Sequence, residues 1–283
     1  IQALIITPTR ELTLQVTAAL RQFGPKQLKV TPIYGGDSIG KQIGELKQNP
    51  HIVVGTPGRL IDHLSKKRLN LSQLSYLVLD EADEMLTVGF VEEIETILEY
   101  SSDDKRTLCY SATMSDDIHK IASKYMKTIQ KIEVKKNQTN TSLTIQKFVE
   151  VNNRDKLQAL YRLLDMEVDF YGIIFCKTKV EADELSQKLI NEKYNAEALH
   201  GDLSQANRKH ILTKFRNKHC TILVATDVAA RGIDVPNLTH VINYSLPQNV
   251  EGYVHRIGRT GRAGKKGMAI TVITPPEFYR YLE

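Results

Sequence analysis

The sequence predicts an α/β protein of two tandem domains, each a parallel sheet flanked by helices. Short apolar β-type runs alternate with helical periods along the whole chain, the pattern that builds parallel layers joined by crossovers. The alternation stops once, at Lys135-Lys136-Asn137-Gln138-Thr139-Asn140-Thr141-Ser142, and then begins again. A polar, aperiodic stretch of that kind reads as a linker, so the expected domains are residues 1–134 and 143–283, with 135–142 between them. A chain of 283 residues is long enough to bury two separate cores.

In the first half, strands are expected near 2–7, 28–34, 51–55, 75–80, 106–111 and 130–134. Ala3-Leu4-Ile5-Ile6 and Tyr76-Leu77-Val78-Leu79 are apolar without alternation, as strands covered on both faces are. A helix over 9–23 follows from Leu12, Val16, Leu20 and Phe23 at near-helical spacing, and one over 115–125 from Ile118, Ile121, Ala122 and Tyr125. In the second half, strands are expected near 143–151, 171–175, 196–199, 220–225, 239–243 and 268–273.

A net charge of +5 and a pI near 8.9 favour a polyanionic partner without specifying one. Cys109, Cys176 and Cys220 are odd in number, widely spaced and set in apolar runs. They are expected as buried thiols in a reducing compartment, the cytoplasm, rather than as disulfides or a metal site. No apolar run is long enough to cross a bilayer and no signal-peptide pattern stands out, so no membrane association is expected.

Asp80-Glu81-Ala82-Asp83 stands straight after the run Tyr76–Leu79, at a strand end, where open α/β sheets expose catalytic side chains. Two readings fit it. One is an acidic first helical turn favoured by the helix dipole. The other is a Mg²⁺-nucleotide site in which Asp80 holds the metal through its waters and Glu81 orients the attacking water. Ser111-Ala112-Thr113 follows Leu108-Cys109-Tyr110 and brings two hydroxyls to the same sheet edge, either as caps of the next helix or as partners of Asp83. Arg256 and Arg259, within Tyr253 to Gly264, lie three apart and fall on one side of a helical turn, where planar guanidiniums grip phosphate oxygens. A solvated basic turn is the alternative, although the interleaved glycines permit a close backbone approach that such a turn does not need.

Further elements complete a series: Pro8-Thr9-Arg10-Glu11-Leu12, Gly35-Gly36, Thr56-Pro57-Gly58-Arg59, Ile174-Phe175-Cys176, Gly201-Asp202 with Gln205 and Arg208, and Thr226 through Asp234. In this order, across nearly all of the chain, the set resembles the DEAD-box ATP-dependent RNA helicases of superfamily 2. The resemblance implies two RecA-like domains, the cofactors ATP and Mg²⁺, and RNA held largely by sequence-independent backbone contacts. It gives Asp80 and Glu81 the metal and water-activating roles, Asp234 a contact to the ribose, and Arg256 and Arg259 the part of arginine fingers closing on the nucleotide between the domains. Asp83, Ser111, Thr113 and His255 would couple the domains. Pro8, Thr9, Arg10, Gly36, Thr56 and Arg59 would line the RNA path in the first domain, and Gln205, Arg208, Thr226 and Arg231 in the second. Asp83-Glu84-Met85-Leu86 with Gly89-Phe90 resembles bacterial members linked to ribosome assembly, RNA decay or cold adaptation, which suggests ribosomal or RNA-decay proteins as partners.

The chain departs from that family in lacking the phosphate loop G-x-x-x-x-G-K-[ST] and the adenine-reading glutamine motif, which members carry ahead of the segment matching Ile1. Gly35-Gly36-Asp37-Ser38-Ile39-Gly40-Lys41-Gln42 has the glycine and lysine spacing, but Gln42 cannot supply the hydroxyl for Mg²⁺ and Asp37 would repel phosphate, so it is not read as that loop. Both chain ends look cut, and the first domain is expected to be incomplete at its N-terminus. Neighbours of the missing strand would face an empty slot, making that domain unstable alone while the second folds independently. A non-catalytic RNA-binding clamp is the alternative function if the chain naturally lacks the loop, and a DNA-directed helicase of the same superfamily is a third.

Overall fold

The computed structural model describes residues 1–114, 116–126, 128–133, 143–230, 233, 235, 237–261 and 264–277, with the backbone alone at 251. They divide into two compact units, Ile1–Glu133 and Val134–Glu283. The linker expected at 135–142, together with Arg231, Asp234 and Arg262, lies outside the described residues.

The first unit is built on one sheet of five parallel strands: β1 (Ala3–Ile6), β2 (Val30–Ile33), β3 (Ile52–Gly55), β4 (Tyr76–Leu79) and β5 (Arg106–Cys109). Their order is β2-β3-β1-β4-β5, with Leu4 of β1 set between Val53 and Leu77. All five match expected strands. The expected strand near 130–134 does not form at residues 130–133, where Ile132 is 82% exposed. The five strands pair without a gap, and β5 forms one edge.

Among the described residues six helices complete this unit: α1 (Arg10–Phe23), α2 (Ile39–Leu46), α3 (Pro57–Ser65), α4 (Ala82–Val88), α5 (Val91–Glu99) and α6 (Asp116–Tyr125). Helix α1 starts where Thr9 caps it, its hydroxyl accepting the Leu12 N–H at 3.2 Å. Its most buried face differs from the leucine stripe that the spacing suggests. Thr13 and Thr17 are the buried residues, while Leu14 is exposed and Phe23 is 83% exposed. Threonine can sit there because each hydroxyl finds a carbonyl one turn back, Thr13 to Thr9 at 2.9 Å and Thr17 to Thr13 at 2.7 Å. Helix α6 buries Ile118, Ile121 and Ala122, as its spacing predicts.

The second unit has six parallel strands: β6 (Thr144–Glu150), β7 (Gly172–Cys176), β8 (Ala196–Leu199), β9 (Ile222–Thr226), β10 (His240–Asn243) and β11 (Gly267–Ile273), in the order β6-β11-β10-β7-β9-β8. Helices bounded within the described residues are α7 (Lys156–Asp165), α8 (Lys179–Asn191), α9 (Gln205–Arg216), α10 (Asp227–Ala230) and α11 (Val250–Ile257). Strand side chains alternate between two cores. Ile173, Phe175, Leu223 and Val241 pack with Ile211, Leu212 and Phe215 of α9. Ile174, Val224, Ile242 and Val272 pack with Leu160 and Leu164 of α7 and Leu185 and Leu189 of α8. Parallel strands covered on both faces need this continuous apolar character, which is why β7 reads Gly-Ile-Ile-Phe-Cys.

The three cysteines are free. Cys176 and Cys220 are buried as expected, whereas Cys109 at the end of the edge strand β5 is only partly so. No helix among the described residues is long and apolar enough to cross a membrane. Because every strand in a sheet runs the same way, each unit gathers all its strand C-termini along one rim, and the motifs singled out above stand there.

Candidate functional site

In the first unit, Asp80 and Glu81 immediately follow β4 at this rim. The Asp80 N–H donates to the Ile6 carbonyl at 3.0 Å, and its Oδ1 accepts the Glu81 N–H at 3.1 Å. Burial pushes the Asp80 carboxyl above its usual pKa, with the Glu81 N–H opposing the shift. A charge held there without a cation is therefore disfavoured. Glu81 adopts the left-handed conformation, φ 52° and ψ 53°, which a side chain enters at a cost of about 1–2 kcal/mol.

Asp83 lies in the first turn of α4 and is buried. Its Oδ2 accepts both the backbone N–H of Thr113, at 2.9 Å, and the Thr113 hydroxyl, at 3.1 Å. The Asp83 N–H donates to Ser111 Oγ at 3.2 Å, and that hydroxyl donates to the Thr113 carbonyl at 2.6 Å. The acidic tetrapeptide and the Ser-Ala-Thr segment are thus wired together within one unit, and the hydroxyls serve as partners of Asp83.

The other side of the same rim is cationic. Gly36 takes φ +84°, and a Cβ added there would lie 2.5 Å from Nη1 of Arg10, so this guanidinium rests against the glycine pair. Arg59, in the first turn of α3, donates from Nη1 to the Asp37 carbonyl at 3.3 Å. Arg10 and Arg59 therefore both meet the 34–38 loop. Thr9 spends its hydroxyl on capping α1, whereas Thr56 makes no side-chain cap bond to α3. The glycine-lysine segment is not a phosphate cradle: Ser38 caps α2 by accepting the Lys41 N–H at 3.4 Å, and Lys41 pairs with Asp37 at 3.7 Å.

In the second unit the structure separates the two arginines that the sequence placed together. Arg256 is 2% exposed. Its fork meets Asp227 twice, Nε to Oδ1 at 2.6 Å and Nη2 to Oδ2 at 2.7 Å, and Nη1 donates to Ser245 O at 2.5 Å and Asn243 Oδ1 at 3.3 Å. The ring of Phe175 lies 5.0 Å from the guanidinium carbon. With its donors satisfied inside the unit, Arg256 is a buried tie between the ends of β9 and β10 and not the exposed phosphate ligand expected of it. Arg259 is half-buried and donates to the carbonyls of His255 and Ile233. His255 stands on α11, also half-buried.

Gln205 opens α9, beside the cap Ser204. Arg208 was expected on an RNA-facing surface but is 9% exposed, with Nη2 3.5 Å from the Ala229 carbonyl, because it falls on the same helix face as Ile211, Leu212 and Phe215. Thr226 ends β9 at the rim. Of the residues that fix Arg256, Asp227 lies within the Thr226 to Asp234 element but was given no role, Asn243 was not singled out, and nothing in their local sequence pairs them with Arg256. The only signal was position, since both stand at strand ends like the motifs themselves.

Comparison with known proteins agrees with this layout. Residues 1–121 match the family model described as DEAD/DEAH box helicase, and residues 155–264 match that of the helicase conserved C-terminal domain. The ATP-dependent RNA helicase CshA of Listeria monocytogenes is 50% identical over 98% of this chain. The match takes in 54% of that protein, so the chain spans about half the length of the curated relatives it matches. Among solved structures, a DEAD box protein from the hyperthermophile Methanococcus jannaschii is 49% identical with a TM-score of 0.55, over 100% of this chain and 77% of that one. S. cerevisiae Dbp5 bound to RNA and ADP BeF3 is 32% identical with a TM-score of 0.88, over 99% of this chain and 73% of the other. With its acidic rim wired to Ser111 and Thr113, and such relatives over nearly its full length, the chain belongs to the DEAD-box helicase family.

Proposed function

We propose that the full-length protein is an ATP-dependent RNA helicase, which hydrolyses ATP in response to RNA and uses the cycle to separate short duplexes or remodel RNA–protein complexes. The observation that carries this reading is a single rim bearing Asp80 and Glu81 at one strand end and Arg10 and Arg59 around the 34–38 loop at another. Carboxylates suit a metal-bound triphosphate, and guanidiniums beside an open glycine backbone suit a sugar-phosphate chain. The relatives named as ATP-dependent RNA helicases and the neighbours bound to RNA support the same assignment.

Asp80 fits a Mg²⁺ ion. Its half-buried carboxylate carries one backbone bond, and among the described residues no group of three or more His, Cys, Asp or Glu converges to hold a metal alone. Such a site suits a cation that keeps its waters and draws its remaining ligands from phosphate. Bound there, Mg²⁺ would neutralise charge on the phosphate oxygens. Glu81 orients the attacking water and accepts its proton, and the strain in its backbone is the kind found at reacting centres. Asp83 passes changes at this rim to Ser111 and Thr113 through the bonds described above. In the second unit Arg259 serves as the phosphate-directed arginine, and Arg256 holds the strand ends from which such contacts are made.

The test is Glu81→Gln in the full-length protein, followed by RNA-stimulated ATP hydrolysis and nucleotide-dependent RNA binding. Turnover should vanish while RNA binding with nucleotide persists. Undiminished hydrolysis would remove Glu81 from the role.

A further inference from the structure

Gln42, which disqualifies the glycine-lysine segment as a phosphate loop, has a different use. It is 1% exposed on α2, and its amide joins three segments of the RNA-facing side of the first unit. Nε2 donates to the Tyr34 carbonyl at 2.8 Å. Oε1 accepts from Arg59 Nη1 at 3.4 Å and lies 3.2 Å from Nε2 of His63, which is fully buried on α3.

These contacts fix every donor and acceptor. Arginine only donates, so the Gln42 oxygen must face it, and the amide nitrogen then meets the carbonyl. His63 must in turn donate from Nε2, which leaves Nδ1 unprotonated, and that atom is buried without a hydrogen-bond partner. Burial holds the imidazole below its usual pKa; Asp62 opposes the shift, and Arg59, Arg68 and Lys66 add to it. A neutral ring of one tautomer is therefore built in beneath Arg59. The guanidinium uses only Nη1 among the described residues, on Gln42 and Asp37, so Nε and Nη2 remain for an outside acceptor.

We propose that Gln42 and His63 are positioning residues for RNA: they hold Arg59 and the 34–38 loop in one arrangement, so that the unused edge of the guanidinium is presented to a backbone phosphate. This rests on the reading of Arg59 as an RNA contact given under the proposed function. Freed from Gln42, the arginine regains rotamer freedom that RNA must remove on binding, while Asp80 and Glu81, at another strand end, are untouched.

The experiment compares full-length wild type, Gln42→Leu, Arg59→Ala and the double variant, using a uniform single-stranded RNA, fluorescence anisotropy and RNA-stimulated ATPase. Gln42→Leu should weaken RNA binding about five- to tenfold and raise the RNA concentration for half-maximal stimulation by the same factor, leaving kcat at saturating RNA unchanged. The double variant should bind RNA no worse than Arg59→Ala. Where Gln42→Leu lowers the yield of folded protein, His63→Phe removes the Nε2 donor from the other side and should give the same split between half-saturation and kcat. Wild-type RNA binding in Gln42→Leu or His63→Phe, with Arg59→Ala impaired, overturns the proposal alone. A double variant worse than Arg59→Ala by the full Gln42→Leu factor also overturns it, since Gln42 would then act independently. Wild-type RNA binding in Arg59→Ala overturns both this proposal and the reading of Arg59.

Discussion

The Asp83 carboxylate grips Thr113 by both its backbone N–H and its hydroxyl on a single oxygen, across 30 residues of sequence. Asp83 is buried, so losing one donor leaves the carboxylate less well solvated than water would. Thr113→Val keeps the backbone bond and the shape. It should lower stability by about 1–2 kcal/mol, read as a shift in urea midpoint without a change in slope. An unmoved midpoint would mean that the hydroxyl bond is not made in solution.

The Arg256–Asp227 fork gives a sharper test, because the sequence made Arg256 a phosphate ligand and the structure makes it a structural tie. Arg256→Lys keeps the charge and loses the fork. It should destabilise the second unit by about 3 kcal/mol, since Asp227 and the acceptors at Asn243 and Ser245 are left poorly matched. A variant with wild-type stability and no ATPase would restore the phosphate role.

The raised pKa of Asp80 sets the sign of a third effect. A carboxyl with a folded-state pKa above its unfolded value favours folding when protonated, so ionised Asp80 costs stability. That cost grows as pH rises through the unfolded value, near 4, and is complete above the folded one. In the metal-free protein Asp80→Asn should therefore raise the melting temperature at pH 7.5, and the gain should shrink toward pH 4. Equal melting temperatures at pH 7.5 would show that the carboxylate is better solvated than its burial implies.

Backbone strain at Glu81 separates stability from chemistry. Glu81→Gly removes the left-handed penalty and should stabilise the first unit by about 1 kcal/mol, less the entropy glycine adds to the unfolded chain. Glu81→Gln keeps the strain and should leave stability unchanged, and both should abolish turnover. Paired denaturation curves check this: a Glu81→Gly midpoint below wild type would show that the side chain has packing of its own.

Thiol reactivity offers a simpler check. Burial raises the Cys109 and Cys220 thiols to about 11 and lifts Cys176 further still. At pH 7.5 the folded protein should react slowly with iodoacetamide at all three, as followed by intact mass, and partly exposed Cys109 should react first. Rapid labelling of Cys176 would contradict its burial.

Much of this architecture was legible because it rests on local signals. Apolar runs marked eleven of the strands, and motifs at their ends marked the rim, since a parallel sheet leaves them nowhere else to stand. Side-chain direction was not legible. Helix α1 was found by its leucines, yet it buries Thr13 and Thr17, because threonine hydroxyls bond back along the helix and become tolerable inside. Arg256 and Arg259 are three apart, but their different fates depend on Asp227, 29 residues from Arg256. The segment near 130–134 was expected as a strand, yet Ile132 is exposed, because local sequence alone does not show whether a stretch pairs with a sheet. Gln42 was noticed for what it could not do, and its three partners became visible only when α2, α3 and the 34–38 loop were brought together.

A sheet whose strands all point one way also separates two kinds of inheritance. Exposed side chains on the rim loops can change charge while the pairing of β1 with β3 and β4 stays as it is. Descendants of such a scaffold can therefore vary what the rim meets, with the folding core transmitted unaltered beneath them.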